Sequence, residues 1–384
     1  MNLPDPAVAN AAVAVTAPPG TAETLRVAIF SDALPERNGA GAYYEDLAAQ
    51  LRPRLGALEL FQPRPRKRLP RMALPLPGDP TQKVITPNVP RIRRDFRRLQ
   101  PHLVIAVTPG PFGMLGLYHA RRSGCGFLSA FHTHFEGLVE LYGDTLIMRL
   151  ARGYLKAVNG LLFRSSDAVL VNNAGLIPTV QTLGARRVEV MGTPLANTFL
   201  DTRPVPPPER LQQVLFAGRL APEKNLPSIL KAAEALPRIR FVIAGDGPLR
   251  GELEQAATRL PNLQLTGWLG RKALRDQMDA ASLLILPSHM ETFGTVALEA
   301  MARGRPALVA AEAGIHRWPG LDQALFSLEP GTTLAQRLDE LTALPAQVWR
   351  DKAHQAHAAA SALHAHTLDQ WVDFTEQYGR VSQQ

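Results

Sequence analysis

Residues 283–306 read LLILPSHMETFGTVALEAMARGRP. Leu283–Leu286 is a short, wholly apolar run of the kind buried on both faces in a parallel sheet, and Pro287-Ser288 ends it. Glu291 then lies in the loop at the strand's carboxyl end, the edge where open α/β sheets bind ligands. Thr292-Phe293-Gly294 open a helix whose free backbone N–H groups suit an anionic or oxygen-rich group. Glu299 follows a little over two turns after Glu291, so the two carboxylates face similar directions. Carboxylates accept hydrogen bonds from vicinal hydroxyls, as on sugars and ribose. A surface helix with one acidic cap and one solvated Glu has the same spacing.

Three more strand ends in this half carry polar loops. Phe216–Asn225 (FAGRLAPEKN) ends the expected strand Gln213–Ala217; Gly218 lets a ligand approach the backbone, and Arg219 and Lys224 bring two cations together. Such cations stabilise the charge that develops on a leaving diphosphate, although an ordinary surface loop can also carry them. Ala244–Leu249 (AGDGPL) puts Gly245, Asp246 and Gly247 in a tight turn suited to shaping a crevice. Gly267-Trp268-Leu269, after Leu263–Thr266, either offers backbone atoms to a base or packs.

The N-terminal half has the same rhythm. Arg26–Phe30 (RVAIF) reads as the first strand, Ser31–Gly41 as a loop and Tyr43–Leu51 as a helix, with further strands at Leu103–Val107, Gly126–Ala130 and Ala168–Val171. The four prolines of Thr202–Arg210 (TRPVPPPER) fit neither helix nor central strand and read as a stiff linker. Alternation restarts at Gln213–Ala217 and continues through Arg240–Ala244, Leu263–Thr266, Leu283–Leu286 and Ala307–Val309. The expected fold is α/β: two Rossmann-like, doubly wound parallel-sheet domains facing a central cleft. The expected division is a disordered arm (1–24), an N-terminal acceptor-side domain (25–202), a linker (203–211), a C-terminal ligand-binding domain (212–363) and a last helix (364–384). Leu368, Trp371, Phe374 and Tyr378 give that helix a stripe able to pack back on the N-terminal domain.

At 384 residues the chain exceeds a single ordinary core, which agrees with two domains. Its one cysteine, Cys125, excludes an internal disulfide or a multi-cysteine metal site and fits a reducing cytoplasm. The first basic residue is Arg26, too late for a secretory signal, and no apolar run is long enough to span a bilayer. Net charge is +8, and Arg64–Arg98 alone holds eleven Lys and Arg against two Asp. That excess suits an anionic surface.

The order FAGRLAPEKN, GDGP, GW, then P-S-x-x-E-T-F-G-x-V-x-L-E-A-M-A-x-G-x-P resembles the donor half of retaining glycosyltransferases of the GT-B fold. It is similar to the large family 4 (glycosyl transferases group 1) that includes sucrose synthase-like, mannosyl- and glucosyltransferases, and the resemblance is specific over about Leu215–Val309. In the other half, Leu34-Pro35 with Asn38-Gly39 resembles the family's glycine loop. Phe131-His132-Thr133 resembles members that glycosylate membrane lipids, such as diacylglycerol glucosyltransferases and phosphatidylinositol mannosyltransferases.

The resemblance implies that Glu299 holds the ribose, while Glu291 with the N–H groups of Phe293 and Gly294 holds hydroxyls of the transferred sugar. Arg219 and Lys224 would bind the diphosphate, Gly39 would let the N-terminal domain close over it, and His132 would touch the sugar near the reacting centre. The rest of the implied donor set is Gly218, Gly245, Asp246, Gly247, Leu269, Thr292 and Thr295. The partner is then a nucleotide sugar, a UDP- or GDP-hexose, with no permanently bound cofactor and no metal. Front-side attack is the usual account of retention in this family, so no protein nucleophile is expected. The sequence departs from the family at Ala311–Gly314 (AEAG) and Gly39-Ala40-Gly41, which leaves sugar and base open.

A lipid or glycolipid acceptor is the first expectation, and a soluble or polysaccharide acceptor the alternative. Arg91–Leu99 (RIRRDFRRL) fits an ordinary packed helix with a solvated basic face, or a helix at an anionic membrane. Arg64, Arg66, Lys67, Arg68 and Arg71 lie in a proline-rich stretch without packing pattern, the candidate membrane or acceptor contact. Nucleic acid is not expected, because aromatics do not interleave with these charges. The location expected is therefore cytoplasmic, peripheral at the inner membrane face. A nicotinamide-dependent oxidoreductase lacks support, since SDALPERNGAG has no Gly-x-Gly-x-x-Gly. A non-catalytic anionic-lipid-binding protein would explain the charge and leave the donor-side residues without a purpose.

Overall fold

Strands too apolar to face water on either side form two parallel sheets, each covered by helices on both faces. The computed structural model describes residues 22–34, 39–63, 73–76, 79–132 and 146–379. The first sheet contains β1 (Arg26–Phe30) and β2 (Ala57–Phe61); a hairpin of β3 (Ala73–Leu76) and β4 (Asp79–Ile85) stands apart from it. It continues with β5 (Leu103–Ala106), β6 (Gly126–Phe131), β7 (Ala168–Val171) and β8 (Val188–Val190), in the order β2-β1-β5-β6-β7-β8.

The second sheet holds β9 (Gln213–Ala217), β10 (Arg240–Ala244), β11 (Leu263–Gly267), β12 (Leu283–Leu286), β13 (Ala307–Ala310) and β14 (Phe326–Leu328). Its order is β11-β10-β9-β12-β13-β14. The chain winds outward from β9 in one direction and from β12 in the other. The crevice between the carboxyl ends of β9 and β12 is therefore a topological switch point, and β1 and β5 make the equivalent point in the first sheet. This is the GT-B architecture.

Two features join the halves. Arg303, 1% exposed, grips Asp279 at 2.8 and 2.9 Å and donates to the carbonyls of Thr202 (2.6 Å) and Arg203 (3.0 Å), fixing the chain where it enters the second half. The last helix runs unbroken from Ala346 to Tyr378. Trp349, Ala356 and Ala360 lie in the core of the second sheet, whereas Trp371, Phe374 and Tyr378 enter the core of the first. Trp371 stacks edge-on to Tyr44 and donates from its indole to Tyr43 Oη at 3.2 Å.

Three local expectations need correction. The last helix, expected over 364–384, already begins at Ala346, and Ala22–Thr24, expected within the disordered arm, form a short 3-10 helix. The loop after β1 is shorter than Ser31–Gly41, because the following helix already begins at Gly39. Replacing buried Trp371 by Ala should destabilise the protein by about 3–5 kcal/mol in denaturant melts. An unchanged midpoint would mean that the helix end does not hold the two cores together.

Candidate functional site

Backbone hydrogen bonds lock the loops at the carboxyl edge of the second sheet. Gly218 N–H donates to Ala244 O (3.0 Å), Leu220 N–H to Asp246 O (2.9 Å) and Gly245 N–H to Gly267 O (2.8 Å). A Cβ on Gly245 would stand 1.8 Å from Gly218 O, so only glycine permits this contact. Gly247 N–H caps the Asp246 carboxylate at 2.9 Å, and Leu269 sits half-buried beyond exposed Trp268.

Across the switch point, the loop after β9 meets the loop after β12. Lys224 Nζ donates to Glu291 Oε2 at 2.6 Å, with 18% and 14% of the two side chains exposed. Asn225 Nδ2 donates to Pro287 O at 3.1 Å and His289 N–H to Glu223 O at 2.9 Å. Arg219 pairs with buried Glu223, its Nε at 3.2 Å, which fixes the guanidinium at the same edge. Gly294 takes φ +105°, a backbone conformation side chains resist, to turn the chain into the helix Thr295–Ala302. Phe293 is buried, Thr295 begins the helix, and Glu299 lies within the last turn before its end at Ala302. Glu291, Arg219 and Lys224 are thus brought together; Glu299 lies farther along the helix.

Glu299 faces the other domain. Burial pushes its carboxyl up to about 8, Arg271 pulls it down and Asp46 pushes it up. Arg271 itself forms an ion pair with Asp46, on the helix Gly39–Leu51 of the first half. Gly39 heads that same helix.

His132 follows β6 and marks the opposite wall. Its backbone carbonyl accepts from Thr292 Oγ1 at 2.7 Å, tying the two halves beside Glu291. Asn172 and Asn173, at the end of β7, extend the seam: Asn172 Nδ2 donates to Thr292 Oγ1 at 3.4 Å and Asn172 O accepts from Trp318 Nε1 at 2.8 Å. His132 Nε2 hydrogen-bonds Tyr44 Oη at 2.7 Å, and Tyr43 and Tyr44 wall the ring edge-on. Burial pushes its pKa down to about 3, so the imidazole is neutral at physiological pH.

Sequence reading did not single out Asn172, Asn173, Asp46, Arg271, Tyr43 or Tyr44. The strand-end rule applied to β7 would have found the two asparagines; the Asp46–Arg271 pair has no local signature. Pro35, Asn38, Thr133 and the basic stretch Arg64, Arg66, Lys67, Arg68 and Arg71 lie outside the described residues. Among the described residues, no group of three or more His, Cys, Asp or Glu side chains is placed to share a metal ion, and no helix is long and apolar enough to cross a membrane.

Residues 200–355 match the family model described as glycosyl transferases group 1, and residues 37–194 match that of glycosyltransferase family 4. The sulfoquinovosyl transferase of Arabidopsis thaliana is 27% identical over 240 residues, 59% of this chain and 46% of that protein. The alpha-monoglucosyldiacylglycerol synthase of Streptococcus pneumoniae is 26% identical over 238 residues, 55% of this chain and 52% of that protein. The matches thus span about half the length of these relatives. Among solved structures, the Anabaena protein HepE in complex with UDP-glucose superposes with a TM-score of 0.68 at 19% identity, over 92% of this chain and 99% of that one.

The state of His132 is directly measurable. In NMR of protein carrying isotope-labelled histidine, its ring should show no titration between pH 5 and 8. A midpoint near the ordinary histidine value of about 6.5 would contradict the buried, neutral imidazole.

Proposed function

The chain belongs to the glycosyl transferases group 1, and from that premise we propose that it moves a hexose from a UDP- or GDP-sugar to a membrane glycerolipid or glycolipid, with retention of anomeric configuration. The observation that carries this reading is the meeting of Arg219, Lys224 and Glu291 at the switch point of the second sheet. Two cations and a carboxylate there match a substrate with an anionic diphosphate beside a hydroxyl-rich sugar. UDP-glucose in the HepE structure supports the donor class, and the diacylglycerol named for the Streptococcus relative supports the acceptor class.

In this reading Glu299 accepts hydrogen bonds from the ribose hydroxyls. The sugar lies between Glu291, the N–H groups of Phe293 and Gly294, and His132. With Nε2 committed to Tyr44, the neutral imidazole presents Nδ1 to a sugar hydroxyl. The acceptor oxygen attacks the anomeric carbon on the face from which the diphosphate leaves. As the bond to the diphosphate oxygen breaks, its electron pair stays with the phosphate, which takes the acceptor's proton. Arg219 and Lys224 stabilise the growing negative charge. Lys224 must then share its charge between Glu291 and the phosphate, so donor binding loosens an existing pair.

A panel of UDP- and GDP-sugars tested for hydrolysis and for transfer to diacylglycerol and glycolipid acceptors checks the reading. One donor should be turned over with retention; failure of both UDP and GDP to bind would sink it. Replacing Glu299 by Ala should weaken donor binding without unfolding the protein.

The ionised Glu299 is the binding form, and its pKa is raised, so nucleotide affinity should increase as pH rises toward 8. The limiting slope is about tenfold per pH unit, and Glu299→Gln should remove it. Equal pH profiles for the two proteins would take Glu299 out of the ribose site.

A further inference from the structure

Three helices share the outer layer on one face of the first sheet: Val89–Leu99, Pro111–Ser123 and Leu146–Ser165. Ile92 and Phe96, Phe112 and Leu117, and Leu162 and Phe163 turn inward into one core. Together the three helices carry eleven Lys and Arg against one Asp, a balance of +10 in a chain whose net charge is +8. The opposite layer has the other sign. The helix Gly39–Leu51 and residues 364–378 of the last helix hold Glu45, Asp46, Asp369, Asp373 and Glu376 and no Lys or Arg. Five of these eleven cations, Arg91, Arg93, Arg94, Arg97 and Arg98, come from the basic segment Arg64–Arg98; the other six come from the two later helices.

That face also exposes an apolar stripe. Leu146, Leu150 and Tyr154 stand 73%, 66% and 53% exposed, four residues apart and so on one side of their helix. Arg93, Arg94, Arg97, Arg98 and Lys156 are exposed on the same layer. Isolated exposed leucines are ordinary, whereas two in register with a tyrosine on a basic layer are the pattern of an interfacial helix. Burial and then the charge of Asp32, just beyond β1, raise the phenol pKa of Tyr154.

We propose that this helical layer docks on an anionic lipid bilayer, with Leu146, Leu150 and Tyr154 entering the interface and the arginines of Val89–Leu99 on the headgroups. The opposed charge of the two layers orients the domain, since the acidic side is repelled by the surface that attracts the basic one. The choice of a bilayer as occupant deepens the lipid-acceptor reading and rests on it; the charge and exposure do not.

Flotation of the full chain with vesicles tests this. Binding to phosphatidylcholine containing about a third phosphatidylglycerol should exceed binding to phosphatidylcholine alone by about tenfold or more and fall with added salt. The double variant Leu146→Glu/Leu150→Glu, changed only at exposed positions, should lose about tenfold in vesicle affinity. Its UDP or GDP affinity should stay as it was. Equal binding to the two vesicle types, or full vesicle binding by the double variant, would overturn the proposal. So would duplex DNA binding tightly where vesicles do not bind. Failure of the unmodified chain to bind either vesicle, with sugar transfer intact, would remove this surface and leave the transferase; vesicle binding by that chain without nucleotide binding would do the reverse.

Discussion

Lys224 and Glu291 meet at 2.6 Å where the second sheet reverses its strand order. Both side chains are more than four-fifths buried, so neither charge is left without its partner cheaply; removing one partner of such a pair typically costs about 3–5 kcal/mol. The pair holds the loop after β9 against the loop after β12, helped by Asn225 on Pro287 O and His289 on Glu223 O. The other groups proposed for the donor side are placed relative to that junction. Arg219 lies on one loop, Thr292, Phe293 and Gly294 on the other, and Glu299 on the helix the second loop starts.

The junction is also where the domains touch. Thr292, next to Glu291, donates to His132 O, and Asn172 and Asn173 reach it from β7. Beside Glu299, Asp46 and Arg271 pair between the two halves. The two carboxylates of the E-x7-E pattern therefore sit at two separate interdomain contacts. The last helix, threaded through both cores, sets how far these contacts can separate. If these carboxylates hold the donor as proposed, substrate recognition and the relative placement of the halves are physically the same problem.

Much of this was legible in the sequence, for identifiable reasons. Arg26–Phe30, Ala168–Val171, Gln213–Ala217, Arg240–Ala244 and Leu283–Leu286 match their strands because buried parallel strands are continuous apolar runs. Ala57–Phe61 was missed: it is an edge strand interrupted by Glu59, with alternating burial at its start. Val188–Val190 and Phe326–Leu328 are three-residue edge strands, too short to show a period. At the site, charge flagged Glu291, Arg219 and Lys224, whereas the neutral Asn172 and Asn173 obey the same strand-end rule unnoticed. Asp46 and Arg271 are 225 positions apart, and only the packing of two domains brings them together.

The central claim is that the switch point of the second sheet is the donor site. A crystal structure of the protein with bound UDP or GDP tests it most directly. The account predicts the diphosphate within hydrogen-bonding reach of Arg219 and Lys224, with the ribose hydroxyls on Glu299. A nucleotide seated at the β1–β5 switch point of the first sheet, away from those three side chains, would contradict it.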